Sequence, residues 1–194
     1  MNTESNPHHL LLGRLNDFLT GADIPDTHDE RYRQKIARLL VLEKQFDKAD
    51  IEAHTGLEIS VGGKKAKIKM DYLVRLQGNI VMLIKYAPGS LVTRRLSTLA
   101  LSRIIRPYQI PLVVITNGED AEIMDGDSGK VTASGLENIP AREDVLLRYG
   151  SFSFKPIGEK IFDQASKIAF ACEVDGACPC DSDICILEEK DGFR

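Results

Sequence analysis

Long apolar runs are absent from this chain of 194 residues. The two longest, IVMLI and LVVIT, fall far short of the roughly 20 apolar residues that a helix needs to cross a bilayer. The first residues, MNTESNPHHLLLGRL, also lack the basic and apolar regions of a secretory signal peptide. We therefore expect a cytoplasmic protein that makes no membrane contact.

Acidic residues are nearly absent from the middle of the chain. Between Val61 and Leu112, Asp71 is the only acid against ten basic residues, so this segment carries +9, although the whole chain carries −4. The segment from Ala171 to Asp191 is the reverse, with seven acids and one lysine, or −6. A basic half with one isolated carboxylate suits phosphate binding. The alternative is that these charges are solvated and scattered around the fold.

Length and composition predict one globular domain with a real core and small appendages, since 43% of the residues are hydrophobic and 28% are charged. The patterns divide the chain into a helical lead-in (1–28), an α/β core (29–150) and a C-terminal helix with a Cys-rich acidic tail (151–194). Helices are predicted over residues 9–19, 30–46, with Asp29 as N-cap, 91–105, 142–148 and 159–171. Alternating or apolar segments between them predict strands of a mixed sheet flanked by helices.

The stretch IKMDYLVRLQGNIVMLIKYAPGSL, residues 68–91, is typical of strand, turn and strand. It places Asp71 and Lys85 on adjacent strands. A strand carboxylate binds hard cations such as Mg²⁺, and a lysine beside it orients the attacking water or holds a phosphoryl oxygen. The apolar neighbours of Lys85 predict a central strand, in which a lysine must find a partner. The plain alternative is an ion pair of Asp71 with Arg75 or a lysine.

Four segments in order carry a resemblance to a known family: DERYRQKIARLL, KAKIKMDYLV, VMLIKYAPGSL and YQIPLVVITNGEDAEIMD. From about Asp29 to about Asp127, the chain resembles the N-terminal domain of the type I restriction enzyme R subunit, in the PD-(D/E)XK nuclease superfamily. The resemblance implies a restriction-endonuclease-like α/β fold and DNA as a partner. It also implies Asp71 as a Mg²⁺ ligand, with Glu30 and Lys85 beside it as catalytic residues.

The family's Glu-X-Lys motif is degenerate in this chain, because Leu83 stands where members that cut DNA have glutamate. Leucine can neither bind a metal nor accept a proton. A carboxylate from Glu30, Glu43 or Glu58 could replace the missing one, or Asp71 alone could hold a metal weakly and cut slowly. An active protein would be a metal-dependent endonuclease or exonuclease. The third alternative is an inactive nuclease fold that serves in interaction or regulation.

The helix predicted after Lys85 carries several cations that suit a phosphate backbone, namely Arg94, Arg95 and Arg103, with Gln109 at its end. Related nucleases often have Gln and Tyr on this helix in contact with DNA. A solvated helix face and a structural Gln109 are the alternatives. Without a phosphate-loop motif the chain is expected to act as a stand-alone domain, and a protein partner or homo-oligomer is left open.

All four cysteines lie in the last 23 residues, at Cys172, Cys178, Cys180 and Cys185. In a cytosolic protein such clustering favours a metal over disulfides. Four thiolates can hold Zn²⁺ or an iron–sulfur cluster, and a bound metal would order an otherwise acidic tail. In the alternative of an inactive, regulatory protein, this tail would be the metal-binding part. Free thiols on a tail without a metal are the other interpretation.

Overall fold

The computed structural model of the protein describes residues 11–176 and 184–187. Its strands are β1 (Gly13–Asn16), β2 (Asp23–Asp26), β3 (Ile51–Val61), β4 (Lys64–Leu76), β5 (Asn79–Tyr86), β6 (Leu112–Thr116), β7 (Ala121–Asp125), β8 (Val131–Ser134) and β9 (Ile184–Leu187). Its α-helices are α1 (His28–Arg38), α2 (Arg95–Ser102), α3 (Arg142–Arg148) and α4 (Glu159–Ala169). In these residues no helix combines the length and the apolar character needed to cross a membrane.

Six strands form a mixed sheet in the order β3-β4-β5-β6-β7-β8. Neighbouring strands are antiparallel except β5 and β6, which are parallel and are joined by the crossover that contains α2. The strand β9 pairs with the first half of β4, and β1 pairs with β2 in a separate hairpin. The predicted α/β fold with a mixed sheet and flanking helices is confirmed.

Two hydrophobic cores lie on the two faces of the sheet. One core joins the sheet to α2 and α4 and includes Leu73, Leu83 and Val113. The other joins it to α1 and α3 and includes Val74, Ile84 and Val114, among others. The strands β5 and β6 contribute to both cores, which is why their sequences are apolar at successive positions and not at alternate ones. The predicted central position of β5 is therefore confirmed.

The side chains of β4 change face near Asp71. Ala66, Ile68 and Met70 pack in the same core as Leu73, whereas an unbroken alternation would place even and odd positions on opposite faces. Across from Asp71 lies His54 of β3, whose φ of 54° is in the left-handed region. The irregularity in β3 and β4 thus lies at the level of Asp71.

The helix α1 begins at His28, and its N-cap is Thr27, whose hydroxyl accepts a hydrogen bond from the Glu30 backbone nitrogen at 3.1 Å. The prediction of Asp29 as the cap was wrong, because Asp29 already lies in the first turn and bonds to the Tyr86 hydroxyl. The α-helix ends at Arg38 and continues as a π-helical turn over Leu39–Glu43. The helix predicted over residues 30–46 is thus present but shorter.

The predicted helix over residues 9–19 is wrong where the structure describes it. Residues 13–16 form β1, which pairs with β2, so the lead-in is a hairpin and not a helix. Gly21 has a φ of 74°, which a turn requires and which most residues disfavour. In addition, Leu11 and Leu12 are exposed, so the apolar run that suggested a helix has no core to pack against.

Candidate functional site

Asp71 and Lys85 lie next to each other on adjacent strands. The register pairs Tyr72 with Ile84, so the next position along each strand brings Asp71 opposite Lys85. The Lys85 Nζ is 3.6 Å from Asp71 Oδ2 and donates a hydrogen bond to the Lys69 carbonyl oxygen at 3.2 Å. Asp71 is only 2% exposed. The structure therefore brings together the two residues on which the nuclease prediction rests.

Arg33 of α1 makes the shortest described contact with Asp71 and was not predicted as a site residue, although it lies in the segment DERYRQKIARLL that carries the family resemblance. Its Nε donates to Asp71 Oδ1 at 2.7 Å, and the Tyr86 backbone nitrogen donates to Oδ2 at 2.9 Å. Burial by itself would raise the pKa of the Asp71 carboxyl, but the charges of Lys85 and Arg33 and these hydrogen bonds hold the pKa below its ordinary value. Asp71 is thus a buried carboxylate compensated by two cations.

The structure also holds Arg33 in place. Its guanidinium lies over the Tyr86 ring, 5.2 Å from the centroid, and its backbone carbonyl accepts a hydrogen bond from the Tyr72 hydroxyl at 2.7 Å. One guanidinium nitrogen is 3.8 Å from Glu30 Oε2. Arg33 therefore stands between the carboxylates of Glu30 and Asp71, and it links α1 to the centre of the sheet.

Position 83 offers no polar group to this site. Leu83 is fully buried, opposite Leu73, in the core formed with α2 and α4. Glu43 and Glu58, two of the proposed replacements, are exposed, and Glu58 is opposite Lys67 in the register, far along β4 from Asp71. Of the predicted replacements, Glu30 alone is buried near Asp71, with Arg33 between them.

A carboxylate that the sequence did not predict, that of Glu173, approaches Lys85 from the C-terminal side. It lies in the π-helical turn Phe170–Asp175 that follows α4, is buried, and has its Oε2 3.9 Å from Lys85 Nζ. Lys85 is thus placed between two carboxylates, those of Asp71 and Glu173. No motif signals Glu173, because its position depends on how α4 packs against the sheet.

A second polar cluster lies on the other side of Glu30. Gln34 Nε2 donates to Glu30 Oε1 at 2.8 Å and to Asp17 Oδ2 at 2.7 Å. Asp17 Oδ1 accepts hydrogen bonds from Leu19 and Thr20, which close the turn after β1. The His54 Nε2 lies 3.6 Å from Asp17 Oδ2.

Burial would raise the pKa of Asp17, but the Gln34 and Thr20 hydrogen bonds and His54 lower it below its ordinary value.

The side chains predicted to bind nucleic acid differ in their contacts within the protein. Arg95 forms a double hydrogen bond to Glu122, whereas Gln109 is buried and donates to the Ser102 hydroxyl and the Ile110 carbonyl. Arg103 donates to Gln109, and Arg94 is half-buried. Because α2 runs only from Arg95 to Ser102, Arg94 and Arg103 flank the helix at its N-cap and C-cap positions.

The cysteines are only partly described. Cys172 is half-buried in the turn after α4 and forms no disulfide with a described residue. Cys178 and Cys180 lie outside the described residues. Cys185 belongs to β9, where its backbone is opposite Lys67 of β4. A metal site at the four cysteines therefore stays a prediction.

The mixed sheet, its two helical layers and the Asp71–Lys85 pair on adjacent strands define an α/β protein of the restriction-endonuclease-like class. The family described as type I restriction enzyme R protein N terminus matches residues 28–140, more than half of the chain, and the chain belongs to that family. No curated protein and no solved structure gives a significant match. The match includes Glu30, Asp71 and Lys85 but neither Asp17 nor Glu173.

Proposed function

We propose that the protein binds DNA, and that the first half of β4 supplies much of the attraction for the phosphate backbone. Lys64, Lys65 and Lys67, called the lysine strand below, are exposed there. The observation that carries the proposal is this run of exposed lysines in a chain of a restriction-enzyme family. Lysines that neutralise phosphates provide affinity without reading sequence.

The distribution of acids supports this choice of surface. Three arginines of the basic segment are paired with acids: Arg75 and Arg106 with Glu52, and Arg95 with Glu122. Exposed ion pairs of this kind contribute little attraction for a distant phosphate because their fields largely cancel. These three arginines therefore add little positive potential, and the lysine strand is proposed for the exposure of its side chains.

Replacing Lys64 and Lys67 with alanine should weaken DNA binding to all sequences about equally. The slope of log K against log salt concentration should fall by about 1.8 for duplex DNA, since two phosphate contacts are lost. Fluorescence anisotropy at several salt concentrations measures both quantities. The matched control is Lys130→Ala with Lys160→Ala, two exposed lysines far from β4 in sequence, which should leave the slope unchanged. Equal slopes for both double variants would contradict the proposed surface.

The fit of the family's Mg²⁺ ion at Asp71 can be judged from its neighbours. The described groups in contact with the Asp71 oxygens are Arg33, Lys85 and the Tyr86 backbone nitrogen, which are donors and cations and not oxygen ligands. Mg²⁺ requires several oxygen ligands in near-octahedral geometry. With Leu83 in the core, this donor set does not suit Mg²⁺, and we propose that DNA is bound without hydrolysis at Asp71.

Metal-dependent hydrolysis is the second candidate function, and one observation favours it. Glu30 and Glu173 flank Arg33 and Lys85, so three buried carboxylates surround the centre where the family cuts DNA. If Arg33 released Asp71, these carboxylates could supply oxygen ligands from outside the Glu-X-Lys position. This alternative requires a rearrangement of α1, whereas DNA binding does not.

One assay separates the two candidates. Supercoiled, linear and single-stranded DNA are incubated with the protein and Mg²⁺ or Mn²⁺, alongside Asp71→Asn and Lys85→Met. We expect binding without cutting by all three proteins, because the Asp71 oxygens are engaged by donors. Cutting by the natural protein that both substitutions abolish would overturn the proposal and establish hydrolysis. Circular dichroism of each variant confirms that it is folded.

A further inference from the structure

A group of three metal-ligand side chains lies beside the Asp71–Lys85 pair but is separate from it. Asp17 follows β1, Glu30 belongs to α1 and His54 belongs to β3. One ligand atom from each lies within 4.8 Å of the others. Asp17 and Glu30 are buried, and His54 is three-quarters buried. Three distant parts of the sequence thus direct ligand atoms at one point.

His54 supplies an independent sign that a partner is missing from this point. Both of its ring nitrogens are buried, and neither makes a hydrogen bond within residues 11–176 and 184–187. Buried polar atoms almost always have a partner, and an exception is commonly explained by a bound ion or water. A metal ion on one imidazole nitrogen would supply that partner in the direction of Asp17 and Glu30.

The carboxylates of Asp17 and Glu30 also favour a bound cation at this point. A single amide nitrogen, Gln34 Nε2, donates to both Asp17 and Glu30, which draws their oxygens together. Arg33 is 3.8 Å from Glu30 Oε2, but the described contact that bridges the two carboxylates is this amide. The amide is neutral and supplies dipole but no charge. A divalent cation at this point would balance both carboxylates.

The separations between the three ligand atoms can be compared with those of a metal site. In a tetrahedral site with bonds of about 2.0–2.1 Å, neighbouring donor atoms lie about 3.4 Å apart. The His54 Nε2 and Asp17 Oδ2 atoms, 3.6 Å apart, are already close to this spacing, and the widest separation, at most 4.8 Å, would need to contract by up to about 1.4 Å. Three protein ligands would leave a coordination position open to water or a substrate oxygen.

We infer that Asp17, Glu30 and His54 form a binding site for a divalent transition-metal ion such as Mn²⁺ or Zn²⁺. One imidazole nitrogen with two carboxylates suits these ions, whereas Mg²⁺ and Ca²⁺ prefer oxygen ligands alone. The inference does not depend on DNA binding. It also differs from a metal at Asp71, because Asp17 lies outside the family match and His54 is not a residue of the Asp71–Lys85 pair.

Mn²⁺ alone is the best probe, because soft thiolates favour Zn²⁺ over Mn²⁺ and the cysteine tail would compete for Zn²⁺. Electron paramagnetic resonance counts free Mn²⁺ during titration of the full chain. We expect one Mn²⁺ per natural chain, and an affinity lowered at least about tenfold in His54→Gln and in Glu30→Gln. The matched controls are His28→Gln, an exposed histidine of α1, and Asp71→Asn, and both should bind as the natural chain does.

A second readout guards against a variant that fails to fold. Thermal unfolding without metal shows whether His54→Gln is folded, and added Mn²⁺ should raise the midpoint of the natural chain but not of this variant. Equal Mn²⁺ binding by the natural chain and His54→Gln would overturn the inference. So would the absence of Mn²⁺ binding by the folded natural chain, or its loss in Asp71→Asn, which would place the ion at Asp71.

Discussion

Replacing Arg33 with methionine should lower the free energy of unfolding by about 3–5 kcal/mol, the usual cost of removing one partner from a buried ion pair. Asp71 would lose its 2.7 Å hydrogen bond, and Glu30 would lose the nearest cation. Methionine retains most of the volume, so the loss reports charge and hydrogen bonding more than packing. Urea unfolding monitored by circular dichroism measures the change.

Arg31→Met is the matched control for this prediction. Arg31 lies on the same helix and pairs with Asp26, but its side chain is 56% exposed. Exposed pairs contribute about 0–1 kcal/mol, so this substitution should be nearly neutral. Similar losses in the two variants would mean that helix propensity, and not the buried Asp71 pair, accounts for the effect.

A double-mutant cycle isolates the contact between Arg33 and Asp71. If their interaction dominates, Asp71→Asn should cost much less in the Arg33→Met background than in the natural chain, because the buried carboxylate is then no longer left uncompensated. Additive losses would show that each residue acts through other partners. Such a result would also weaken the argument that Arg33 prevents a metal from binding Asp71.

Restoring the family's glutamate by Leu83→Glu should destabilise the fold by about 4 kcal/mol or more at pH 7, since it places a carboxylate in a fully buried core position. Burial would raise the pKa of this new glutamate in the folded state. The loss of stability relative to the natural chain should therefore be smallest in acid and should grow as pH rises above about 4.3, the ordinary glutamate value. Unfolding curves at several pH values measure this dependence.

Two further substitutions at position 83 separate charge from shape. Leu83→Met keeps the volume and should cost less than about 1.5 kcal/mol. Leu83→Gln adds polarity without charge, and its stability should vary with pH as that of the natural chain does. A stable Leu83→Glu that cuts DNA would contradict the prediction, because it would mean that position 83 still opens onto a working metal site.

Leu83 and Arg33 both bear on whether Asp71 can hold a metal. Leucine removes the second carboxylate, and the arginine supplies the positive charge that a metal would otherwise provide to Asp71. The compensated centre is the observation behind the proposal that DNA is bound without hydrolysis at Asp71.

The sequence by itself determined the elements whose patterns are local. The apolar run of β5 and the alternation in β3 and β4 predicted strands, and the resemblance predicted that Asp71 and Lys85 would meet. The turn does not fix that meeting, because the pairing of Leu76 with Asn79 beside it would place Asp71 opposite Ile84. A register shift between Val74 and Arg75 moves the pairing by one residue and brings Lys85 opposite Asp71. The lead-in was predicted wrongly because Leu11 and Leu12 are exposed, and apolar spacing carries no information about whether a core is present.

The tertiary structure alone decided which other residues reach this centre. Arg33 is one of several charged residues on α1, and its role follows from the face of the helix that packs on the sheet. Glu173 lies about a hundred residues from Asp71 and approaches Lys85 only through the packing of α4. Asp17 and His54 meet Glu30 for the same reason. Contacts between distant segments depend on packing in three dimensions, which local patterns of charge and hydrophobicity do not encode.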